Sequence, residues 1–135
     1  MISRHVLTLD DVNVMLNAAQ KEADANGWAV SIAVADDGGH PMGLRRLDNT
    51  PAMTGYFAQQ KAKSAALGRR ETQLFEDSIN GGRTAFLSAP ELEGMLGGGV
   101  PVLVEGQLAG SIGVSGVKPE QDAQIAKAGV AALGL

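Results

Sequence analysis

A tight-turn signal in the first third of the chain constrains its fold more than any other feature. The string DDGG at residues 36–39 combines residues that tolerate positive φ, and it stands between an alternating apolar run at 30–34 and a second run at 41–47. This pattern predicts a β-hairpin, with Pro41 favouring an edge strand because proline cannot donate to a ladder. Residues 100–114 predict a second hairpin around a Glu-Gly turn. The sheet is therefore predicted to be mainly antiparallel, not doubly wound.

Helices are predicted before, between and after the two hairpins. Thr8, followed by acidic residues, is typical of a helix start, and Gly27 supplies a left-handed end to that helix. Thr50 as the cap and Pro51 in the first turn predict the start of a long alanine-rich helix. A shorter helix follows it, and Pro119 opens the last one. The order of helix, hairpin, helices, hairpin and helix predicts an α+β fold, with helices on both faces of the sheet.

Length and composition narrow the class of protein. The 135 residues suit one domain over 1–135, and the absence of cysteine excludes disulfides and thiolate metal sites. Only two histidines are present and they lie in different segments, so a dedicated transition-metal site built from one chain is not expected. A net charge of −4 argues against nucleic acid as a partner. The chain has no apolar run of transmembrane or signal-peptide length, so no membrane association and a cytoplasmic location are expected.

Two candidate polar groups flank the first hairpin. His40 follows the turn directly, where it is either a half-exposed polar residue or a group for proton transfer or axial ligation. Asp36 either orients that imidazole or caps the turn through its own backbone. Arg45, Arg46 and Asp48 close the second strand, either as a solvated ion cluster or as a guanidinium clamp for an anion.

The long helix and the glycine run at 97–99 supply further candidates. Lys61 and Ser64 share a helix face, where they are either ordinary surface residues or a cation and hydroxyl that face a cleft. The glycine run does not match a phosphate-loop pattern. Gly98 and Gly99 either permit close packing or form a backbone rim that offers N–H groups to a ligand oxygen.

Taken together, several strings resemble the GlcG/HbpS family, the haem-degrading type, which is related to the C-terminal domain of PduO-type proteins. The strings are VSIAVADDGGHPMGLRRLD, KAKSAALGRRET, GGGVPVLVEGQLAGSIGVSG and PEQDAQIAKAGVAAL. The resemblance implies a profilin-like α-β-α sandwich around a five-stranded, mainly antiparallel sheet, and assembly into dimers or larger rings. Some members of the family bind haem, so the resemblance suggests haem as a cofactor, with Ser64 at the place of an iron-ligating threonine. His40 is the other possible iron ligand because of its imidazole, and a cofactor other than haem stays open. Ser115 is a further matched position.

Three functional hypotheses follow from these features. The leading one is a small-ligand-binding protein for haem or another tetrapyrrole, with Arg46, Lys61 or His40 meeting an acidic group beside the Gly98-Gly99 rim. The second is an enzyme of small organic acid metabolism, of tautomerase, isomerase or hydrolase type, in which His40 or Asp36 moves a proton. The third is an accessory assembly protein. Whether the chain is an enzyme stays open at this point.

Overall fold

Two β-hairpins join into one sheet, with helices packed on both of its faces. The structure is a computed structural model and describes all residues, 1–135. The elements in chain order are α1 Leu9–Asn26, β1 Ser31–Asp36, β2 Pro41–Arg46, α2 Met53–Gly68, α3 Thr72–Asn80, a 3-10 helix Thr84–Ser88, β3 Gly99–Val104, β4 Gln107–Ser115 and α4 Pro119–Ala131. None of the helices is both long and apolar enough to span a bilayer.

The sheet has four strands in the order β2-β1-β4-β3, and every neighbouring pair is antiparallel. The central pairing of β1 with β4 brings Ser31 opposite Ser115. Pro41 begins the edge strand β2, as the sequence predicts. The fifth strand implied by the family resemblance is wrong for this chain. Residues 83–98, between α3 and β3, form the 3-10 helix and turns with Pro90 and several glycines, which do not form a ladder.

The two faces of the sheet pack differently. On one face, α1 and α4 bury branched and long side chains such as Met15, Ile112 and Ile125 in the main core. On the other face, Ala58 and Ala62 of α2 pack on Ala33 and Ala35 of β1. A Cβ on Gly113 of β4 would lie 2.5 Å from the backbone nitrogen of Ala62, so this glycine is what allows the close approach. The α+β class and the helix-sheet-helix layering are thus confirmed.

The first helix begins and ends as predicted. Thr8 and Asp11 form a reciprocal capping box, in which the Asp11 N–H donates to Thr8 Oγ1 at 3.2 Å and the Thr8 N–H donates to the Asp11 carboxylate at 2.8 Å. Gly27 ends the helix with φ +69°, a left-handed conformation that glycine adopts without strain. Both features follow from neighbouring residues alone.

The prediction that Thr50 caps the long helix is wrong. Helix α2 begins at Met53, and its N-cap position, Ala52, makes no side-chain bond. The Thr50 hydroxyl is buried and lies 2.9 Å from that of Thr54, which is in turn 2.9 Å from the Ser31 hydroxyl on β1. Because these hydroxyls are removed from water, they bond with one another, and the helix end is left without a side-chain cap.

Candidate functional site

The tip of the β1–β2 hairpin holds two predicted site residues, Asp36 and His40, whose side chains bond to each other. Asp36 accepts hydrogen bonds from the backbone N–H groups of Gly38 at 2.8 Å and His40 at 2.9 Å. The Nδ1 of His40 lies 3.0 and 3.1 Å from the two carboxylate oxygens of Asp36. The carboxylate therefore both closes the turn and orients the imidazole, so the two alternatives left open for it by the sequence are compatible.

The remaining ring nitrogen of His40 faces outward. The His40 side chain is 77 % exposed, and no protein group bonds to Nε2. With Nδ1 as the donor to Asp36, Nε2 has a free lone pair for a proton or a metal ion. Burial works against ionisation of Asp36, but the hydrogen bonds from His40 and Gly38 outweigh it and hold the pKa of this carboxyl below its usual value.

A small hollow lies beside the hairpin tip, under the edge of α2. Its volume is about 160 Å³. Gly39 packs against Lys63 there, and a Cβ on that glycine would lie 3.0 Å from Lys63 Cγ. The Lys63 ammonium at the rim is paired with Glu91 at 2.9 Å. The hydrogen bond to Glu91 raises the pKa of Lys63 and lowers the pKa of Glu91. The lining residues are Ala33, Val34, Ala35, Gly39, Pro41, Gln59, Gln60, Ala62 and Lys63.

Lys61 is not at the surface. Its ammonium donates to the carbonyl oxygen of Val114 at 2.9 Å and to the Asp122 carboxylate at 3.1 Å, and the two charged side chains are 4 % and 3 % exposed. The pair joins α2 to the N-terminal end of α4. Asp122 also accepts from the Val117 N–H at 3.1 Å. This buried ion pair holds three segments of the chain together.

Burial shifts the pKa of each residue of this pair in the direction that favours its uncharged form. It raises the pKa of Asp122 to about 6 and lowers the pKa of Lys61, although the attraction between the two charges opposes both shifts. The desolvation cost of each ion is thus only partly offset by its partner.

The other predicted residues near Lys61 are engaged in packing. Ser64 donates to the carbonyl oxygen of Glu93 at 2.5 Å and accepts from its N–H at 3.1 Å, so the hydroxyl fixes the loop before β3. A Cβ on Gly98 would lie 2.5 Å from the Val114 oxygen, and one on Gly99 would lie 2.5 Å from the Lys61 oxygen. Both glycines are buried at this junction.

Two predicted residues remain, and they lie elsewhere. Ser115 is buried at the end of the central strand β4. Arg46 is exposed at the end of β2 opposite to His40, and its guanidinium donates to the Thr50 carbonyl oxygen at 3.3 Å. The structure therefore brings Asp36 together with His40, and Lys61 together with the glycine run. It does not bring His40, Lys61 and Arg46 to one cleft.

The sequence did not predict the role of Asp122 in the buried ion pair with Lys61. Asp122 appeared in the sequence only as part of the string PEQD, and it lies 61 positions from Lys61. No spacing rule connects residues that far apart, although an acid in the first turn of a helix is a common feature in itself.

Comparison with known proteins identifies the family. The family model described as "Haem degrading protein HbpS-like" matches residues 7–131. The chain belongs to this family. It is 50 % identical over 115 residues to "Protein GlcG" of Escherichia coli K12, with 85 % of each chain covered. The resemblance seen in the sequence is thereby confirmed.

Solved structures of HbpS-like proteins match the whole fold. A crystal structure of a double mutant of Streptomyces reticuli HbpS superposes with a TM-score of 0.89 at 29 % identity, covering 100 % of this chain and 92 % of that one. A structure described as a PduOC:heme complex superposes with a TM-score of 0.83 at 26 % identity, covering 94 % of each chain. The HbpS-like fold thus occurs in a protein crystallised with haem.

Proposed function

We propose that this protein binds a haem-like tetrapyrrole at the tip of the β1–β2 hairpin, with His40 as the iron ligand. The observation that carries the proposal is the exposed imidazole whose Nδ1 is held by Asp36 while Nε2 is free. Metal-ligating histidines usually donate their second ring N–H to a carboxylate or carbonyl, which fixes the ring and increases its basicity. The HbpS-like family and the haem-bound PduOC relative support the same ligand class.

Some of the residues around the hairpin tip suit a tetrapyrrole, and Ser64 does not. Of the two iron ligands predicted from the sequence, His40 is accessible, whereas the Ser64 hydroxyl already bonds to Glu93 in both directions. Lys63 places an ammonium at the rim of the apolar hollow, where it can meet a propionate. Bound haem would supply an iron centre for ligand or redox chemistry. Asp36 would orient His40, and Lys63 would position the acidic edge.

Self-association belongs to the same proposal. The hollow, at about 160 Å³, is below the 300–1,000 Å³ range that is typical of sites for drug-sized ligands, so it covers only an edge of the macrocycle. A second copy of the chain would shield the remainder from water. Large apolar side chains on and near α2, including Met53 and Tyr56, are exposed in the single chain and offer surface for such contacts.

Titration of the purified protein with hemin tests this proposal. We expect a saturable shift of the Soret band at micromolar hemin, which His40→Ala abolishes or moves. Asp36→Asn should weaken hemin affinity about 10- to 100-fold because it removes the group that orients the ring. His5→Ala, which removes the only other histidine, is the matched control and should bind as the wild type does. Absence of a saturable shift in the wild type would overturn haem as the ligand, and an unchanged His40→Ala spectrum would overturn the role of His40.

A second candidate function uses the same pair in proton transfer. The small volume of the hollow suits a small organic acid better than a macrocycle. A carboxylate at Lys63 would bring the neighbouring carbon toward the hairpin tip, where His40 Nε2 would act as a general base. The reaction class is enolisation or isomerisation next to a carbonyl.

Deuterium exchange separates this candidate from simple binding. Small oxo- and hydroxy-acids are incubated with the protein in D2O, and loss of the proton signal next to the carbonyl is followed by NMR. We expect exchange with the wild type and with His5→Ala, and at least about 100-fold slower exchange with His40→Ala. Equal exchange by His40→Ala, or none by the wild type across the panel, would refute this chemistry.

A further inference from the structure

A groove remote from the hairpin tip contains charged groups of both signs that form no salt bridge with one another. Its volume is about 540 Å³, and it lies between the C-terminal end of α1 and the end of β2. Two carboxylates, Asp24 and Asp48, and two guanidinium groups, Arg45 and Arg46, line it. None of these carboxylate oxygens lies within 4.0 Å of a guanidinium nitrogen. Four ionic groups thus share a groove without forming a salt bridge.

Neutral groups fix one of the guanidinium groups. Arg45 Nη1 donates to Asn17 Oδ1 and to Gln20 Oε1, both at 2.9 Å, so α1 positions this side chain through amides. Arg46 donates to a backbone carbonyl, that of Thr50. Amide and carbonyl acceptors orient a guanidinium while leaving its full charge, and the nitrogens that they do not use remain for a carboxylate.

Another group in the groove, Asp24, favours a cation. Asp24 lies in the last turns of α1, where the helix dipole presents its negative end, and no basic residue occupies the last turn. Trp28 and Leu47 supply apolar surface to the same groove. Both of these side chains pack against the main core, which holds them in place.

We propose that this groove binds a small zwitterion, namely a free α-amino acid. The carboxylate meets Arg45 and Arg46, the ammonium meets Asp24, and the side chain of the ligand lies on Trp28. A pure anion would be repelled by two unpaired carboxylates, Asp24 and Asp48, and a pure cation would face two guanidinium groups. The site is independent of the hairpin tip, because Arg46 and His40 lie at or beside opposite ends of β2.

Isothermal titration calorimetry with each of the proteinogenic α-amino acids tests the proposal. We expect saturable binding of one or more of them. The deamino acid and the decarboxylated amine that correspond to the tightest binder should each bind at least about tenfold more weakly, because each lacks one charge-assisted contact. If no amino acid binds, or if either analogue binds as tightly as its parent, the proposal is overturned.

Two variants of groove residues, with a third variant as the control, test which side chains bind each end of the ligand. Asp24→Asn and Arg46→Gln should each weaken the amino acid about tenfold or more. Arg83→Gln, an exposed arginine outside the groove, is the matched control. Asp24→Asn should also strengthen binding of the deamino acid, because it removes a repulsive carboxylate; a merely structural role for Asp24 would not have this effect. The proposed site is overturned if all three variants bind the amino acid equally well. His40→Ala should leave amino acid binding unchanged, whatever its effect on hemin binding.

Discussion

Lys61→Met should lower the free energy of unfolding at pH 7 by about 3–5 kcal/mol, because it leaves the Asp122 carboxylate buried without a counter-ion. The size follows from the burial of the pair, whose side chains are only 4 % and 3 % exposed. Asp122→Asn should cost a similar amount, since it leaves the ammonium unpaired. The asparagine keeps an oxygen that can accept from the Val117 N–H, so the cost reports the lost charge.

The double variant distinguishes an ionic contribution from simple loss of packing. Lys61→Met combined with Asp122→Asn leaves no unpaired ion, and neutral replacement of a buried pair is often close to neutral for stability. We therefore expect the double variant to lose at least about 2 kcal/mol less than the sum of the two single losses. Lys127 and Glu71, 3.3 Å apart but 59 % and 39 % exposed, form the matched control, whose coupling should stay below about 1 kcal/mol.

Urea denaturation followed by tryptophan fluorescence measures these losses. Trp28 is the only tryptophan and packs against the main core, so its emission reports global unfolding. With a slope of about 1–3 kcal/mol per molar urea, each single variant should unfold about 2 M earlier than the wild type. If the two single losses add to within about 0.5 kcal/mol, the two charges do not interact and the reasoning is refuted.

The pH dependence of these variants gives a second measure of the same pair. The pKa of Asp122 is raised from 3.8 to about 6, so the folded state holds this proton more tightly than the unfolded state. The resulting stabilisation is complete below about pH 3.8 and is lost as the pH rises through about 6. At about 1.36 kcal/mol per pKa unit, this interval corresponds to about 3 kcal/mol. Lys61→Met keeps Asp122 but removes the charge that lowers its pKa, so the pKa of Asp122 should rise further and this variant should continue to lose stability above pH 6, whereas the double variant should not.

Three further perturbations are checked by the same urea titrations. Thr8→Ala should cost about 1 kcal/mol through loss of the α1 cap. Gly113→Ala should cost at least about 1–3 kcal/mol because its Cβ would lie 2.5 Å from the Ala62 nitrogen, whereas Gly55→Ala, whose nearest atom would be 3.9 Å away, should gain about 0.5–1 kcal/mol. Asp36→Asn should be less stable than the wild type at pH 7. Because the pKa of Asp36 is lowered, its contribution is present above about pH 3.8 and lost below it, so the difference should shrink at pH 3.

Features encoded by neighbouring residues were predictable from the sequence. The capping box of Thr8 and the left-handed Gly27 each depend on a few adjacent residues, and both occur in the structure. Thr50 shows where this reasoning ends. A threonine hydroxyl can cap a helix. This one bonds instead to the hydroxyl of Thr54 on α2, which in turn bonds to Ser31 of β1. Only tertiary contacts reveal that competition, because the sequence places Ser31 nineteen positions earlier.

The candidate site residues show the same limit: the sequence predicts contacts between residues that are close in the chain, but not between distant ones. Asp36 and His40 are four positions apart across a turn, so their contact was predictable. Lys61 is paired with Asp122, which lies 61 positions away on α4. The sequence of α2 alone therefore gives no sign that this ammonium has a partner. The cation that the sequence suggested for a ligand is therefore an internal part of the fold. Of the cations that the sequence suggested for a ligand, Arg46 forms no salt bridge, and neither does its neighbour Arg45.

Strand β2 separates the two proposed sites, and the separation leads to a last prediction. Six residues of extended chain, at about 3.3 Å each, put the backbones of His40 and Arg46 about 20 Å apart. No hydrogen bond links the Asp36–His40 pair to the amides that hold Arg45. Saturating hemin should therefore leave the dissociation constant of the amino acid unchanged within about twofold, and the reverse should hold by linkage. A larger mutual effect, measured by calorimetry on the hemin-loaded protein, would mean that the ligands share a surface or that β2 transmits a change between its ends.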